Sequence, residues 1–406
     1  MSNIFEGFLS TPEVNEAFGD RNLVAAMLRF EAALARAQAA VGLIPEAAAL
    51  SIIGTCKVEL FDAAKIVRES ARAGSLAIPL VKSLRETVDL FNPDASKYVH
   101  LGCTSQDAID TAMALVTREV LALITADVRK VLDALLRLAE SHATTPMLAR
   151  TLMQPASITT FGYKCLGWAA PLHRSLQRLE PAIAHALKLQ LGGTVGTLAQ
   201  MGDHGDAVVT RMAQDLGLAL PQSCWHTQRD EWVLLGCELG ILVGSLGKIA
   251  RDVVLMSQFE VAEVAEPLEP GRGAPPNMPH KHNPVASMVA LAAAQRAPQR
   301  VALLLATMPQ EHERALGAWQ AELAEWPTLL NSAHGSARAM AQAIPRLHID
   351  AARMQTNIDA VRASLPKASA QEWFNPNLAA HAARRVAVEL AGLRTAAATP
   401  LQSTPL

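Results

Sequence analysis

The residues with the clearest chemical potential stand in the loop GRGAPPNMPHKHNPVAS, residues 271–287. His280, Lys281 and His282 follow one another there, and Asn283 comes next. A proline on each side of this group restricts its backbone, and no acidic neighbour in the sequence cancels the charge of the lysine. A cationic, glycine-containing loop is suited to closing over an anionic substrate. The lysine and the two histidines are therefore candidate catalytic residues.

A second candidate site lies in VHLGCTSQDAIDTA, residues 99–112. Thr104 precedes Asp107 by three positions, which is the spacing of a capping box, and helical periodicity begins there. The simpler interpretation is a capped helix start. The functional one is a carboxylate-binding site, because a helix N-terminus offers free N–H groups and a positive dipole end. In that case Thr104, Ser105 and Gln106 add hydroxyl and amide donors.

Three further polar clusters interrupt the helical pattern: ARTLMQPASITTFG (149–162), LGGTVGTLAQMG (191–202) and CWHTQRDEW (224–232). The first crowds Arg150 and Gln154 into a turn bounded by proline and glycine. The second frees backbone N–H groups at its glycines, although glycine pairs usually mark turns. The third sets His226 and Arg229 just before a long helix, where a solvated helix start is the simpler interpretation.

The remaining composition excludes several other kinds of site. The charged run that ends in His312, Glu313 and Arg314 has no HExxH or carboxylate-rich spacing, so no metal site is predicted. The five cysteines are odd in number and form no CxxC pair, which favours reduced cytosolic thiols over a disulfide framework. A net charge of −2 without a long basic run argues against nucleic-acid binding.

The elements that must position these residues are predicted to be helices. Half of the residues are apolar and only 4% are aromatic, which favours helix-on-helix packing. Apolar residues recur at steps of three and four along two stretches: Leu23, Met27, Phe30 and Leu34, and then Leu121, Ile124, Val128, Val131, Leu135 and Leu138. The second stretch has the pattern of a bundle seam, and we predict an all-α protein.

One apolar stretch, VLLGCELGILVGSLG at residues 233–247, could be mistaken for a membrane span. It is short for that purpose and carries Glu238, so we predict a core helix from Asp230 to about Val264. Its glycines at 236, 240 and 244 would form one smooth stripe. The N-terminus has no basic region followed by an apolar run, and we expect a cytoplasmic protein without a signal peptide or membrane partner.

Three domains are predicted along the chain: an N-terminal helical domain (1–110), a central long-helix bundle (111–350) and a shortened C-terminal domain (351–406). Met288 to about Met308 is expected to be a helix kinked at Pro298. No strand pattern and no internal repeat is found in the sequence. Long helices with a continuous apolar seam usually find their partners by oligomerising.

Taken together and in this order, the clusters resemble the fumarase/aspartase/argininosuccinate lyase superfamily. The hallmark loop of that superfamily reads GSSxMPxKxNP, and residues 274–284 read APPNMPHKHNP. TSQD at 104–107 and RTLMQPASITTFG at 150–162 are similar to two other shared regions. Within the superfamily, AIPLVK, YVHLGCTSQDA, CWHTQRD, MPHKHNPV and MPQEHERALGAW look like the bacterial 3-carboxy-cis,cis-muconate cycloisomerases. The likeness covers roughly residues 5–355.

The resemblance implies a three-domain, mostly helical subunit whose long central helices join four subunits into a homotetramer. Each active site would take residues from three chains. The implied reaction needs no cofactor: 3-carboxy-cis,cis-muconate closes to 4-carboxymuconolactone, in the protocatechuate branch of the β-ketoadipate pathway. A carboxylate adds to an alkene, an adjacent carboxylate takes up charge as an enolate-like species, and a proton is delivered to carbon. The partner would be a small polycarboxylate.

The resemblance also implies roles for individual residues. Thr104 and Ser105 would hold a substrate carboxylate, with His100 nearby. Lys281 and Asn283 would bind carboxylate oxygens from the loop 271–287, which we name the opening loop. Gln154 belongs to the polar set of the second shared region, and Arg314 and His312 are further candidates.

Two departures from the superfamily pattern affect the choice of reaction. The catalytic serine and its neighbouring serine fall on Pro275 and Pro276, which have neither a hydroxyl nor an N–H to offer. The histidine of the RTH motif in the elimination enzymes is Leu152 here. Both changes argue against a fumarate-forming lyase, because lactonization needs mainly a proton donor, which His280, Lys281, His282 or a bound water can supply. The sequence likeness also stops near residue 362.

The same two prolines leave room for two different functions. Loss of the two small hydroxyls beside the bound anion would suit a sulfonate, as in a 3-sulfomuconate cycloisomerase. Loss of the catalytic serine would instead suit a catalytically inactive homologue with a structural role.

Overall fold

The computed structural model of the chain describes residues 4–269, 273, 277–278 and 281–398. Pro275, Pro276 and His280 lie outside the described residues. The described part contains fifteen α-helices and four short β-strands. The prediction of a helical fold is confirmed, whereas the prediction of no strands was wrong.

The first half of the chain carries a group of short helices followed by two long ones. The helices are α1 (Pro12–Ala17), α2 (Asp20–Ala40), α3 (Glu46–Thr55), α4 (Ala63–Ala73), α5 (Ala77–Phe91), α6 (Pro93–Ser96), α7 (Ser105–Ser141), α8 (Phe161–Ala186) and α9 (Gly205–Leu216). Strands β1 (Pro146–Thr151) and β2 (Gln154–Thr160) separate α7 from α8.

The second half continues with three long helices and ends in shorter ones. The helices are α10 (Asp230–Met256), α11 (Val285–Ala306), α12 (Ala318–Ala343), α13 (Ala351–Ala363), α14 (Lys367–Trp373) and α15 (Asn377–Ala398). Strands β3 (Val264–Ala265) and β4 (His348–Ile349) pair with each other. The boundaries of the three predicted domains stay a prediction.

A bundle of five long helices, α7, α8, α10, α11 and α12, forms the core. The predicted seam lies on α7, where Leu121, Val128 and Leu135 are almost fully buried. Across the bundle, the rings of Trp232 on α10 and Trp326 on α12 stack with their centroids 4.2 Å apart. Aromatic pairs of this kind add to the burial of apolar area that stabilises the core.

Helix α10 is the predicted core helix, with two corrections. It ends at Met256 rather than near Val264, because a turn and then β3 follow. Its close-packed face carries Gly236, Gly240 and Gly247, where an added Cβ would come within 2.4–2.7 Å of side chains on α11. Gly244 meets nothing within 4 Å, so it is not part of this stripe. The helix is long and apolar enough to cross a membrane, but it packs here against α8, α11 and α12.

Two of the strands that the sequence analysis missed, β1 and β2, form a hairpin that packs against α13 and α15. Strands β1 and β2 pair in antiparallel fashion with a bulge between Ala149 and Arg150. The two tip residues, Leu152 and Met153, have φ of 49° and 67° and are 97% and 65% exposed. Left-handed backbone is costly for such side chains, so the tip is a strained, apolar and exposed feature.

Helix α11 runs without interruption through Pro298 and begins three residues before the predicted start. Its N-terminus is closed by Glu266, whose carboxylate accepts hydrogen bonds from the backbone N–H groups of Ala286 (2.9 Å) and Ser287 (2.8 Å). A carboxylate at this end satisfies donors that the helix itself leaves unpaired. No N–H group of these two residues is therefore left for a substrate.

Candidate active site

Asp107, on the first turn of α7, is a buried hub that joins two loops to the helix. Its carboxylate accepts hydrogen bonds from the backbone N–H groups of Thr104 (3.0 Å), Gly192 (3.0 Å) and Gly193 (2.9 Å). The Thr104 contact is the one that the capping-box spacing predicts. The two glycine contacts bring the loop 191–196 against the start of the helix.

Close approach of backbones explains the glycine at position 193. Its φ is +69°, and a Cβ there would lie 2.7 Å from the backbone oxygen of Gly102. Any larger residue would push the loop away from α7. The glycine pair is therefore a device for packing one candidate site against another.

His226 completes the hub from the third cluster. Its Nε2 lies 2.7 Å from Oδ1 of Asp107, and its Nδ1 lies 3.1 Å from Sγ of Cys224. Burial alone would lower the pKa of this imidazole, but the hydrogen bonds to Asp107 and Cys224 outweigh burial and raise the pKa to about 9. The ring is therefore an imidazolium at neutral pH, although only 2% of the residue is exposed.

Arg314 is held at the open side of this hub. Its guanidinium donates to the side-chain oxygen of Gln106 (3.1 Å) and to the backbone oxygen of Thr194 (2.7 Å). Gln106 in turn donates to the backbone oxygen of His226 (2.9 Å) and to Asp110 (3.1 Å). The arginine is half-buried and keeps further N–H groups for a ligand.

His100 brings a second imidazole to the same region from the turn before α7. Its Nδ1 lies 2.6 Å from Oε1 of Glu31, which is buried on α2. Desolvation lowers the pKa of His100, but the charge and hydrogen bond of Glu31 dominate, with help from Asp107, and the net pKa is raised. Because Nδ1 is occupied, Nε2 is the nitrogen left to meet a substrate.

A buried group of ion-paired side chains lies next to the hub. Arg229 donates to Asp110 (2.8 Å) and to Glu322, and all three side chains are no more than 2% exposed. Trp319 adds a hydrogen bond of 2.9 Å to Asp110. Burial raises the pKa of Glu322 against the opposing effect of Arg229. Arg229 was predicted to be a solvated helix start; it is instead fully buried and paired.

The residues of this first group can bind an anion. The first turn of α7 has N–H groups without intrahelical acceptors, and the helix dipole adds positive potential there. Thr104 and Ser105 are half-buried at this end, and His100 and Arg314 stand beside them. We name the group of Thr104, Ser105, His100 and Arg314 the anion site.

The opening loop forms a second group at a different place. Lys281, His282 and Asn283 line a cavity of about 490 Å³ whose other walls include Glu266 and His348. Lys281 and His282 are exposed, and the backbone N–H of Asn283 donates to the oxygen of Gly273 at 3.1 Å. His280 lies outside the described residues, so its place in this group stays a prediction.

The hairpin stands on the same side as the opening loop. Arg150, one residue before the last residue of β1, forms a bidentate ion pair with Glu263 (2.7 and 2.9 Å), which leads into β3 beside the loop cavity. Gln154 is exposed at the start of β2. Among the described residues, no hydrogen bond or ion pair joins the hairpin or the loop to the anion site. One chain therefore presents two separate groups of candidate residues.

The hub residues were missed as site residues by the sequence analysis. Asp107 was identified only as a helix cap, His226 was interpreted as part of a solvated helix start, and Gln106 was named only as a possible donor to a carboxylate. The signal available was their presence in polar clusters next to glycine pairs. Within the described residues, no group of three or more His, Cys, Asp or Glu side chains could hold a metal ion.

Comparison with known proteins supports a single family. A family model described as "Lyase" matches residues 9–298. The 3-carboxy-cis,cis-muconate cycloisomerase of Pseudomonas putida is 44% identical over 358 residues, which covers 88% of this chain and 85% of that protein. The nitrosuccinate lyase of Streptomyces davaonensis is 38% identical over 404 residues, covering 97% and 85% of the two chains.

Solved structures give the same result. The crystal structure of the 3-carboxy-cis,cis-muconate lactonizing enzyme from Pseudomonas putida superposes with a TM-score of 0.83 at 40% identity, and the match covers 97% of this chain and 90% of that one. The structural likeness therefore continues past residue 362, where the sequence likeness was expected to stop. The chain belongs to the lyase family and, within the fumarase/aspartase superfamily, stands among the 3-carboxy-cis,cis-muconate cycloisomerases.

Proposed function

We propose that the protein is a 3-carboxy-cis,cis-muconate cycloisomerase. The observation that carries the proposal is the anion site, where a free helix N-terminus, a raised-pKa histidine and an arginine converge, in a chain 44% identical to a cycloisomerase. The substrate is a trianion, and the positive groups of the site match its charge. The acid forms of substrate and product are isomers; because the lactone has one carboxylate fewer than the trianion, turnover takes up one proton from solvent and no other co-reactant.

Ring closure starts when one carboxylate oxygen attacks an alkene carbon and a C–O bond forms. The alkene electrons move onto the conjugated carboxylate, which becomes an enolate-like dianion. Thr104, Ser105 and Arg314 stabilise that charge by hydrogen bonds, and one such donor typically contributes about 2.7–4 kcal/mol. Holding the attacking carboxylate in line lowers the entropic part of the barrier.

Lys281 delivers the proton that completes the lactone, with His282 and His280 as neighbouring candidates. The ammonium sits on an exposed loop beside a cavity, so it can approach a bound substrate and return to solvent for a new proton. Asn283 holds a carboxylate oxygen next to it. A positioned acid of this kind contributes roughly 10²–10⁴-fold.

We infer that the two groups of each active site come from different copies of the chain. The hairpin and the opening loop stand apart from the anion site within one protomer, and the exposed apolar tip of Leu152 and Met153 needs a cover. We propose a homotetramer in which each site combines the anion site of one copy with the loop and hairpin residues, Gln154 included, of others. Sedimentation analysis that gives a monomer with full activity would contradict this arrangement.

The test follows the ultraviolet absorbance of 3-carboxy-cis,cis-muconate during turnover. Lys281→Ala should lower kcat by about 10²-fold or more, because the proton donor is lost. Lys82→Ala is the matched control, since this lysine is exposed on α5, pairs with Glu86 and belongs to neither group of candidate residues. Equal losses in the two variants, or no turnover by the wild-type tetramer, would refute the proposal.

Assays with two other substrates distinguish the competing functions. Faster turnover of 3-sulfomuconate would indicate the sulfonate-selective enzyme, and formation of fumarate from nitrosuccinate would indicate an elimination enzyme like the Streptomyces davaonensis relative. A folded tetramer that is inert towards all three substrates would indicate a structural homologue.

A further inference from the structure

Building on the proposed function, we propose that His226 is a positioning residue for the anion site. Its imidazolium, acting through Asp107, fixes the N-terminus of α7 and the Gly192–Gly193 turn and cancels the buried negative charge beneath them. His226 is almost fully buried, so it acts on a substrate only through these groups.

The hydrogen bonds that connect His226 to the start of α7 and to the glycine turn all pass through the carboxylate of Asp107. Asp107 receives three backbone N–H groups and one side chain, and His226 is that side chain. The three backbone donors belong to the two segments that face the substrate. A shift of the carboxylate therefore moves the Thr104 end of α7 and the glycine turn together.

Charge gives the second argument. Asp107 is 0% exposed and lies in the same first turn of α7 as the N–H groups that would receive a substrate carboxylate. An unpaired buried carboxylate there would repel the substrate strongly, because water screens it little. The imidazolium 2.7 Å away neutralises it and leaves the helix dipole and Arg314 free to attract the anion.

The other titratable groups around His226 already have partners. They are Asp107 and Asp110 on α7, Cys224 and Arg229 on its own segment, Glu322 on α12, Arg314 on the loop before α12, and His100 with Glu31 beyond Asp107. Asp110 and Glu322 are bound to Arg229, and Glu31 is bound to His100. The remaining direct contacts of the ring are Asp107 and the half-buried thiol of Cys224.

The consequence is a defined dependence on pH. The pKa of His226 is raised from 6.5 to about 9, so the imidazolium persists through neutral pH and is lost as pH rises through about 9. Anion affinity should therefore be high below that range and fall across it. Cys224 contributes to the raised pKa, so its removal should move the fall to lower pH.

The experiment measures binding of the unreactive probe propane-1,2,3-tricarboxylate by calorimetry between about pH 7 and 10. His226→Gln keeps a donor for Asp107 but removes the charge. At neutral pH it should raise Kd about tenfold or more, since bonds to charged groups are the stronger ones, and the alkaline fall should shrink to the part that His100 contributes. Cys224→Ala should keep the fall and shift it to lower pH.

His334→Gln is the matched control, because this histidine is also 2% exposed but bonds Thr11 and lies outside the site. It should leave both the affinity and its pH dependence unchanged even where it lowers the melting temperature. Wild-type-like binding by His226→Gln, or an alkaline fall as large in it as in the wild type, would overturn the inference. Failure of the wild type to turn over any muconate would refute the proposed function instead, since the probe binds without reacting.

Discussion

Removing the charge of Arg229 is predicted to destabilise the fold far more than removal of an exposed arginine. Arg229 has a side chain that is 1% exposed and sits between Asp110 and Glu322, which are 2% and 1% exposed. In Arg229→Met the methionine fills much of the volume, but two buried carboxylates lose their cation. Breaking a buried ion pair from one side typically costs about 3–5 kcal/mol.

Arg21→Met provides the reference, because Arg21 and its partner Glu59 are 65% and 66% exposed. Exposed pairs of this kind contribute roughly 0–1 kcal/mol. Urea denaturation followed by tryptophan fluorescence and circular dichroism would measure both variants under the same conditions. The midpoint for Arg229→Met should fall well below that for Arg21→Met.

Lowering the pH should restore part of the stability that Arg229→Met loses. Burial already raises the pKa of Glu322, and without Arg229 nothing offsets that effect. Protonation of Glu322 therefore removes one of the two stranded charges as pH falls, and the deficit in stability relative to wild type should shrink. Glu322→Gln combined with Arg229→Met should recover part of the loss at neutral pH. Equal midpoints for the two arginine variants, or a deficit that is independent of pH, would refute the reasoning.

Three further predictions concern backbone geometry. Gly193→Ala should lower probe affinity and melting temperature, because its Cβ would meet the Gly102 oxygen at 2.7 Å. The control is Gly42→Ala, where φ is similar (+76°) but nothing lies within 4 Å. Calorimetry and thermal melts should show a smaller loss for Gly42→Ala than for Gly193→Ala. Glu266→Gln should destabilise the protein by about 1 kcal/mol in urea denaturation, since a neutral amide caps α11 less well than a carboxylate, and an unchanged midpoint would contradict this. Leu152→Gly should relieve left-handed strain at the hairpin tip, so that thermal stability holds while kcat falls in the tetramer; a lower melting temperature with full activity would argue the opposite.

Much of the fold follows from local periodicity. The seam from Leu121 to Leu135 and the cap at Thr104 and Asp107 were both predicted correctly, because each depends on residues a few positions apart. The hairpin was missed since β2 buries only Ile158 and Thr160, and the burial comes from helices far along the chain. The end of α10 was placed too late because apolar residues continue beyond Met256 into a turn and a strand.

The site was predictable in its parts and not in its assembly. Each polar cluster stood out in the sequence, but the bond from His226 to Asp107 spans 119 positions and that from Gly193 to Asp107 spans 86. Local spacing carries no information on such contacts. The same applies to Arg229, which has the sequence context of a solvated helix start and is buried by partners on α7 and α12.

The closed N-terminus of α11 has a consequence for how this enzyme family can change. Because Glu266 occupies the N–H groups of Ala286 and Ser287, these two backbone donors are closed to a substrate, whereas the start of α7 offers backbone N–H groups. Backbone recognition tolerates no exchange of glycine or cap, but side-chain chemistry can be replaced one residue at a time. The loop keeps the hallmark pattern MPxKxNP but has exchanged its two serines for Pro275 and Pro276, whereas the carboxylate receptor depends on backbone that a side-chain exchange cannot replace. Exchanging loops between relatives is accordingly the most direct route to a new reaction on this scaffold.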